Sequence, residues 1–78
     1  MSKDHIQNKI RTLRFFKDEM TQKQLADEVG VTRQTVAAIE SGKYSPSLEL
    51  AFRISSVFKV TLDEVFTYDS SKDKIKKK

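Results

Sequence analysis

Apolar residues recur at Ile6, Ile10, Leu13 and Phe16. Gaps of four, three and three place all four on one face of an α-helix, so the pattern predicts a first helix over about 6–17 with these side chains inward. The polar residues 1–5 before it read as a flexible N-terminus. Asp18-Glu19-Met20 breaks the periodicity. A sharper start signal follows at Thr21-Gln22-Lys23-Gln24. This is a capping box, in which the threonine hydroxyl accepts from the backbone N–H of Gln24 and the Gln24 side chain reaches back to the N–H of Thr21. Leu25, Ala26 and Val29 supply the buried face of a short second helix. Gly30 stops it, because glycine takes the left-handed conformation past a helix end without a Cβ penalty.

Thr32 is a second N-cap residue. It opens a third helix over about 33–41, with Val36 and Ile39 inward at helical spacing and Gly42 as its stop. Ser45 or Ser47 caps a fourth helix, and Pro46 between them is tolerated at a helix start. Leu48, Ala51, Ile54 and Phe58 form the stripe of that helix, widened by Leu50 and Val57. Thr61-Leu62-Asp63-Glu64 is another capping box and opens a short fifth helix carrying Leu62, Val65 and Phe66. No strand-like alternation stands before residue 66, and Thr67-Tyr68-Asp69 can be a short extended segment. The fold class expected is all-α with five helices: a folded unit over 6–66, then a C-terminal tail over 67–78.

Residues 21–41 carry a more specific arrangement. Two short helices are joined by a tight turn, with a small residue (Ala26) where they cross and glycine (Gly30) where the turn needs a positive φ. Val29 and Val31 flank the turn and plug it into the core. This is what a helix-turn-helix requires. Projected at about 100° per residue, Val36 and Ile39 fall on one side of the third helix, and Gln34, Ala37, Ala38 and Ser41 on the other, with Arg33 at the edge of its first turn. A solvated helix face usually carries Lys and Glu; this one is small and smooth and is tipped by Arg and Gln. Such a face suits base edges, since Arg bonds guanine bidentately, Gln bonds adenine, and alanine methyls pack on thymine methyls.

Charge changes the picture little. The net charge is +4, yet residues 1–66 carry ten basic and nine acidic groups, so most of the excess lies in the lysine-rich tail. A tail of that kind reads as a solvated terminus before it reads as a binding arm. A chain of 78 residues makes one domain, which buries about 60% of its unfolded surface and leaves little room for a cofactor-sized pocket. There is no cysteine, hence no disulfide, thiolate zinc site or cysteine nucleophile. His5 is the only histidine. Asp27-Glu28 and Asp63-Glu64 are adjacent pairs that diverge on a helix and do not share a proton or metal. With both glycines at helix ends, no phosphate-cradling loop exists. No enzyme, cofactor, metal or small-molecule ligand is expected. Neither a membrane-spanning run nor a secretory signal is found in this sequence, and the expected location is the cytoplasm.

The stretch TQKQLADEVGVTRQTVAAIESGKYSPSLELAFRI resembles the Cro/cI-type helix-turn-helix family, to which phage repressors and many small bacterial regulators belong. The resemblance covers roughly residues 9–66 and implies a DNA-binding domain whose second helix crosses the backbone and whose third enters the major groove. Carried over by position, Gln22 resembles the residue that bonds phosphate and buttresses the reading helix. Arg33, Gln34 and Ala38 match base-reading positions, beside Ala37 from the projection above. Thr32, Thr35, Ser41, Lys43 and Tyr44 match backbone-contacting positions. Arg14 and Glu40 match a structural ion pair. The usual spacing from that arginine to the glutamine is seven; here it is eight, which implies a first loop one residue longer.

The function expected is a homodimeric, sequence-specific repressor on double-stranded DNA. Its dimer interface draws on Phe58, Leu62, Phe66 and Tyr68, apolar residues left over from a small core. The alternative is an antitoxin-type protein-interaction module that also binds its own operator.

Overall fold

Four helix starts are set by side chains that satisfy backbone N–H groups the helix itself leaves unpaired. The computed structural model describes residues 6–68. Thr21 accepts from the Gln24 N–H at 3.0 Å and Gln24 Oε1 accepts from the Thr21 N–H at 2.8 Å, opening α2 (Gln22–Val29). Thr32 accepts from the Thr35 N–H at 3.2 Å and opens α3 (Arg33–Glu40). Ser47, rather than Ser45, opens α4 (Leu48–Phe58) by accepting from the Leu50 N–H at 3.1 Å. At α5 (Leu62–Val65), Glu64 Oε1 accepts from the Thr61 N–H at 2.9 Å, while the Thr61 hydroxyl donates to Asp63 Oδ1 at 2.6 Å.

The helix ends are equally defined. Gly30 (φ 83°) and Gly42 (φ 82°) take the left-handed conformation that closes α2 and α3. Past α3, Gly42 N–H donates to the Ile39 carbonyl at 3.1 Å and Lys43 N–H to the Ala38 carbonyl at 2.9 Å, the paired bonds of a Schellman motif. Lys59 ends α4 in the same conformation (φ 57°) without being glycine.

The first helix differs from the expectation. It starts at Ile10 and forms α1 (Ile10–Phe16). Residues before it form β1 (Ile6–Asn8), antiparallel to β2 (Phe66–Tyr68), with Ile6 opposite Tyr68 and Asn8 opposite Phe66. Ile6 lies four residues before Ile10, a spacing that fits a longer helix as well as this strand. The Asn8 side chain decides locally, since its Oδ1 accepts from the Ile10 N–H at 3.2 Å and so marks a helix start there. Phe66 belongs to the strand and not to α5. The ribbon carries the folded part to Tyr68. Residues 1–5 and 69–78, where the flexible N-terminus and most of the lysine-rich tail were expected, lie outside the described residues.

Ile10, Leu25, Val29, Val36, Ile39, Ile54 and Val65 are the largest fully buried side chains. Each contributes roughly 1.5–3 kcal/mol by leaving water. Leu13, Met20, Val31, Val57, Phe58, Val60 and Phe66 pack around them. Three side chains expected inside are not: Phe16 is 76% exposed, Leu48 67% and Ile6 41%. Phe16 is the last residue of α1 and stands edge-to-face with Phe15, ring centroids 5.3 Å apart. Leu48 is the first residue of α4, ahead of the part of that helix that covers the core. The loop between α1 and α2 turns through Asp18 (φ 55°) and Glu19 (φ 54°), two successive left-handed residues.

Candidate nucleic-acid interface

The hydroxyl of Thr32 fixes the start of α3, and burial of Val36 and Ile39 fixes which face turns outward. Arg33, Gln34 and Ser41 are exposed and Ala37 and Ala38 half-buried, so the outward surface is low, with its long side chains on the first turn. Thr32 and Thr35 share a hydroxyl–hydroxyl bond of 3.0 Å beside that turn. Ser41 Oγ donates to the Ala38 carbonyl at 3.1 Å. Lys43 and Tyr44 stand exposed in the loop after the helix, Tyr44 at 51%.

A polar framework connects both ends of α3 to α1 and α2. Arg14 Nε donates to Glu40 Oε2 at 2.6 Å and Nη2 to Oε1 at 3.0 Å, a bidentate pair whose side chains are only 14% and 10% exposed. Arg14 Nη1 donates to the Met20 carbonyl at 2.8 Å and so holds the loop between α1 and α2 as well. Gln22 Nε2 donates to Glu40 Oε1 at 3.2 Å, while Gln22 Oε1 accepts from Arg33 Nη1 at 3.4 Å. The first residue of α2 thereby touches the last and the first residue of α3. At 3.4 Å the bond to Arg33 is weak, and the exposed guanidinium keeps its other donors.

The residues expected at a dimer interface divide. Phe58 and Phe66 pack partly on the core. Leu62, Phe66 and Tyr68 do come together, lining with Ile6 an open, mainly apolar groove of about 450 Å³ beside the ribbon; Phe58 does not line it.

Two residues escaped the sequence reading. Asn8 Nδ2 donates to the Ile39 carbonyl in the last turn of α3 at 3.0 Å. Arg53 Nη1 donates to the Val29 carbonyl at the end of α2 at 3.2 Å, while its Nη2 meets Glu49 at 2.7 Å. An Asn ahead of an apolar helical stripe is a start signal for α1, and the Glu49–Arg53 spacing is readable. The bonds to distant carbonyls have no sequence signature. Among the described residues, no group of three His, Cys, Asp or Glu side chains is placed to hold a metal ion, and no helix is long and apolar enough to cross a membrane.

This geometry is that of a known family. The family model for the helix-turn-helix matches residues 10–65, and the chain belongs to that family, in its Cro/cI-type form. It is 45% identical over 64 residues to an HTH-type transcriptional regulator of Methanocaldococcus jannaschii, covering 82% of this chain and 96% of that protein. It is 41% identical over 59 residues to the HTH-type transcriptional activator BcrR of Enterococcus faecalis, covering 76% of this chain but 28% of that protein. Among solved structures, one from Bacteroides fragilis superposes with a TM-score of 0.69, covering 80% of this chain and 98% of that one; at 21% identity the likeness speaks for the fold alone.

Proposed function

We propose that this protein is a sequence-specific DNA-binding regulator of transcription that acts as a homodimer on a pseudo-palindromic operator and represses what lies downstream. The observation that carries the reading is the exposed first turn of α3, Arg33-Gln34, on a helix clamped at its far end by Arg14 and Gln22. In this reading α3 lies in the major groove. Arg33 and Gln34 bond base edges, and Ala37 and Ala38 allow the close approach. Gln22, Thr32, Thr35, Ser41, Lys43 and Tyr44 meet the phosphate backbone and set the register.

Two copies are needed because one eight-residue reading helix covers too few base pairs to single out an operator in a genome. A two-fold dimer would place its reading helices about 34 Å apart, on successive turns of one duplex face. The groove lined by Ile6, Leu62, Phe66 and Tyr68 supports this as the joining surface. Repression follows from occupancy, since a dimer seated on a promoter excludes polymerase without further contacts. The activator BcrR has most of its length outside the matched region, so its direction of action is not carried over.

Selection of duplexes from a random-sequence pool tests the whole reading. An enriched inverted repeat with half-site centres about ten base pairs apart is the expected result. No enrichment, or a single unrepeated site, would overturn it. A reporter under the selected sequence should rise when the gene is deleted, and a fall would overturn the repressor assignment.

A further inference from the structure

The side chain of Asn8 stands where three elements meet. Its Nδ2 donates to the Ile39 carbonyl in the last turn of α3 at 3.0 Å, and its Oδ1 accepts from the N–H of Ile10, first residue of α1, at 3.2 Å. Its own backbone is paired with Phe66 across the ribbon, and the next residue, Lys9, donates its N–H to the Val65 carbonyl at 2.8 Å. The amide is therefore held by the ribbon on one side and by the start of α1 on the other before it reaches α3.

The Ile39 carbonyl does not need Asn8 in order to end the helix. It already accepts from the Gly42 N–H at 3.1 Å, the bond that closes α3. The bond from Asn8 is a second one, from outside, on a helix-ending group whose local partner is in place. What it adds is position. The adjacent residue, Glu40, is gripped by Arg14 and Gln22. The Ile39 carbonyl oxygen lies off the helix axis and the Glu40 side chain leaves the helix in another direction, so bonds to both resist rotation of α3 about that axis as well as sliding along it. Rotation is the motion that would carry the side chains of Arg33 and Gln34 off a row of base edges while leaving the helix intact.

We propose that Asn8 is a positioning residue for sequence reading: by bonding the Ile39 carbonyl it holds α3, whose outward face the burial of Val36 and Ile39 selects, at the angle at which Arg33 and Gln34 meet the bases. The proposal rests on α3 being the reading helix, as argued above. It adds that the terminal ribbon, which touches no base in this reading, takes part in discrimination.

Two substitutions separate this role from the turn bond to the Ile10 N–H. Asn8→Asp keeps an acceptor for the Ile10 N–H but turns an acceptor toward the Ile39 carbonyl. Asn8→Ser also keeps an oxygen for the Ile10 N–H, adds no charge, and is too short to bridge to α3. Ile54→Val, a core change on α4, serves as a control that lowers the melting temperature without touching either bond. Affinity is measured for the duplex that the unaltered protein selects from a random pool and for one random duplex, at fixed salt and below every melting transition. Both Asn8 variants should lose about tenfold in the ratio of the two affinities, as for a misplaced base contact, while Ile54→Val keeps the ratio. If Asn8→Asp fails to fold, Asn8→Ser decides. An unchanged ratio in the folded Asn8 variants, or an equal loss in Ile54→Val, overturns the proposal and leaves the reading of α3 standing. An unaltered protein that selects no sequence overturns that reading and takes this proposal with it.

Discussion

Arg33 and Lys43 carry the same charge at opposite ends of α3, and their expected roles differ by position alone. Arg33, on the first turn, holds only a 3.4 Å bond to Gln22 among the described residues, so its removal should disturb the fold little. Arg33→Ala should cost roughly 1–3 kcal/mol on the selected duplex and relax the preference at one base pair per half-site. Lys43→Ala, in the loop after the helix, should weaken selected and random DNA alike and flatten log affinity against log salt by about one unit for each phosphate left unneutralised. A salt titration of both duplexes separates the two, and equal losses from Arg33→Ala would remove it from base reading. Glu40 acts on the fold instead. Its side chain, 10% exposed, accepts twice from Arg14 and once from Gln22. Glu40→Ala strands the Arg14 guanidinium, which should cost about 3 kcal/mol and lower the melting temperature by roughly 10 °C or more. A loss under about 1 kcal/mol would mark the pair as a weak surface one. The exposed face of α3 was legible in the sequence because helical periodicity alone decides which side chains turn away from Val36 and Ile39. Asn8 and Arg53 were not, because each bonds a backbone carbonyl of a remote residue, and every residue offers the same carbonyl.

At the scale of elements, helix ends govern what can be read and what can be improved. The helices were legible because Thr21, Thr32, Gly30 and Gly42 state their starts and stops in local chemistry. The strand β1 was not, because three residues with one apolar side chain take their conformation from Phe66–Tyr68, nearly sixty positions away. Phe16 misled for a related reason: its spacing continues the stripe, but α1 ends there and leaves no neighbouring element to cover it. The same ends contain a correctable strain. Lys59 closes α4 at φ 57°, where a Cβ crowds the following carbonyl. Lys59→Gly should therefore stabilise the fold by up to about 1 kcal/mol, the relief being partly offset by a freer unfolded chain. Gly30→Ala should do the opposite by about 1–2 kcal/mol. A Cβ there would meet Arg53 Nη1 at 3.5 Å, an ordinary contact, so the cost lies in the backbone at φ 83°. Urea denaturation of the pair checks this; midpoints moving in the same direction would show that φ does not set the sign.

For the whole molecule, the near-neutrality of residues 1–66 makes the association state decisive. Residues 1–66 carry ten basic and nine acidic groups, so this part of the chain exerts no strong general attraction on DNA. The affinity of this part must come from a few placed contacts, and doubling them on one duplex is a multiplier available to it. Joining two copies adds the second half-site at the effective concentration fixed by the dimer instead of the free protein concentration, which raises affinity without a new kind of contact. The groove beside the ribbon offers Ile6, 41% exposed, and Leu62 as apolar ground for that joining. Ile6→Lys and Leu62→Asp place charge there at positions that tolerate it locally. Ile6 is an exposed strand residue, and Leu62 is the first residue of α5, where a carboxylate suits the helix dipole. Sedimentation at micromolar concentration should give a dimer for the unaltered chain and a monomer for both variants, with the helical circular dichroism unchanged. On the selected inverted repeat, the variants should bind weakly and each half-site independently, while their affinity for a random duplex shifts only by the single added charge. A chain that sediments as a monomer both free and on the selected duplex would remove the dimer. Variants that stay dimeric would move the interface elsewhere, with the exposed Leu48 and Phe52 the next apolar residues to alter.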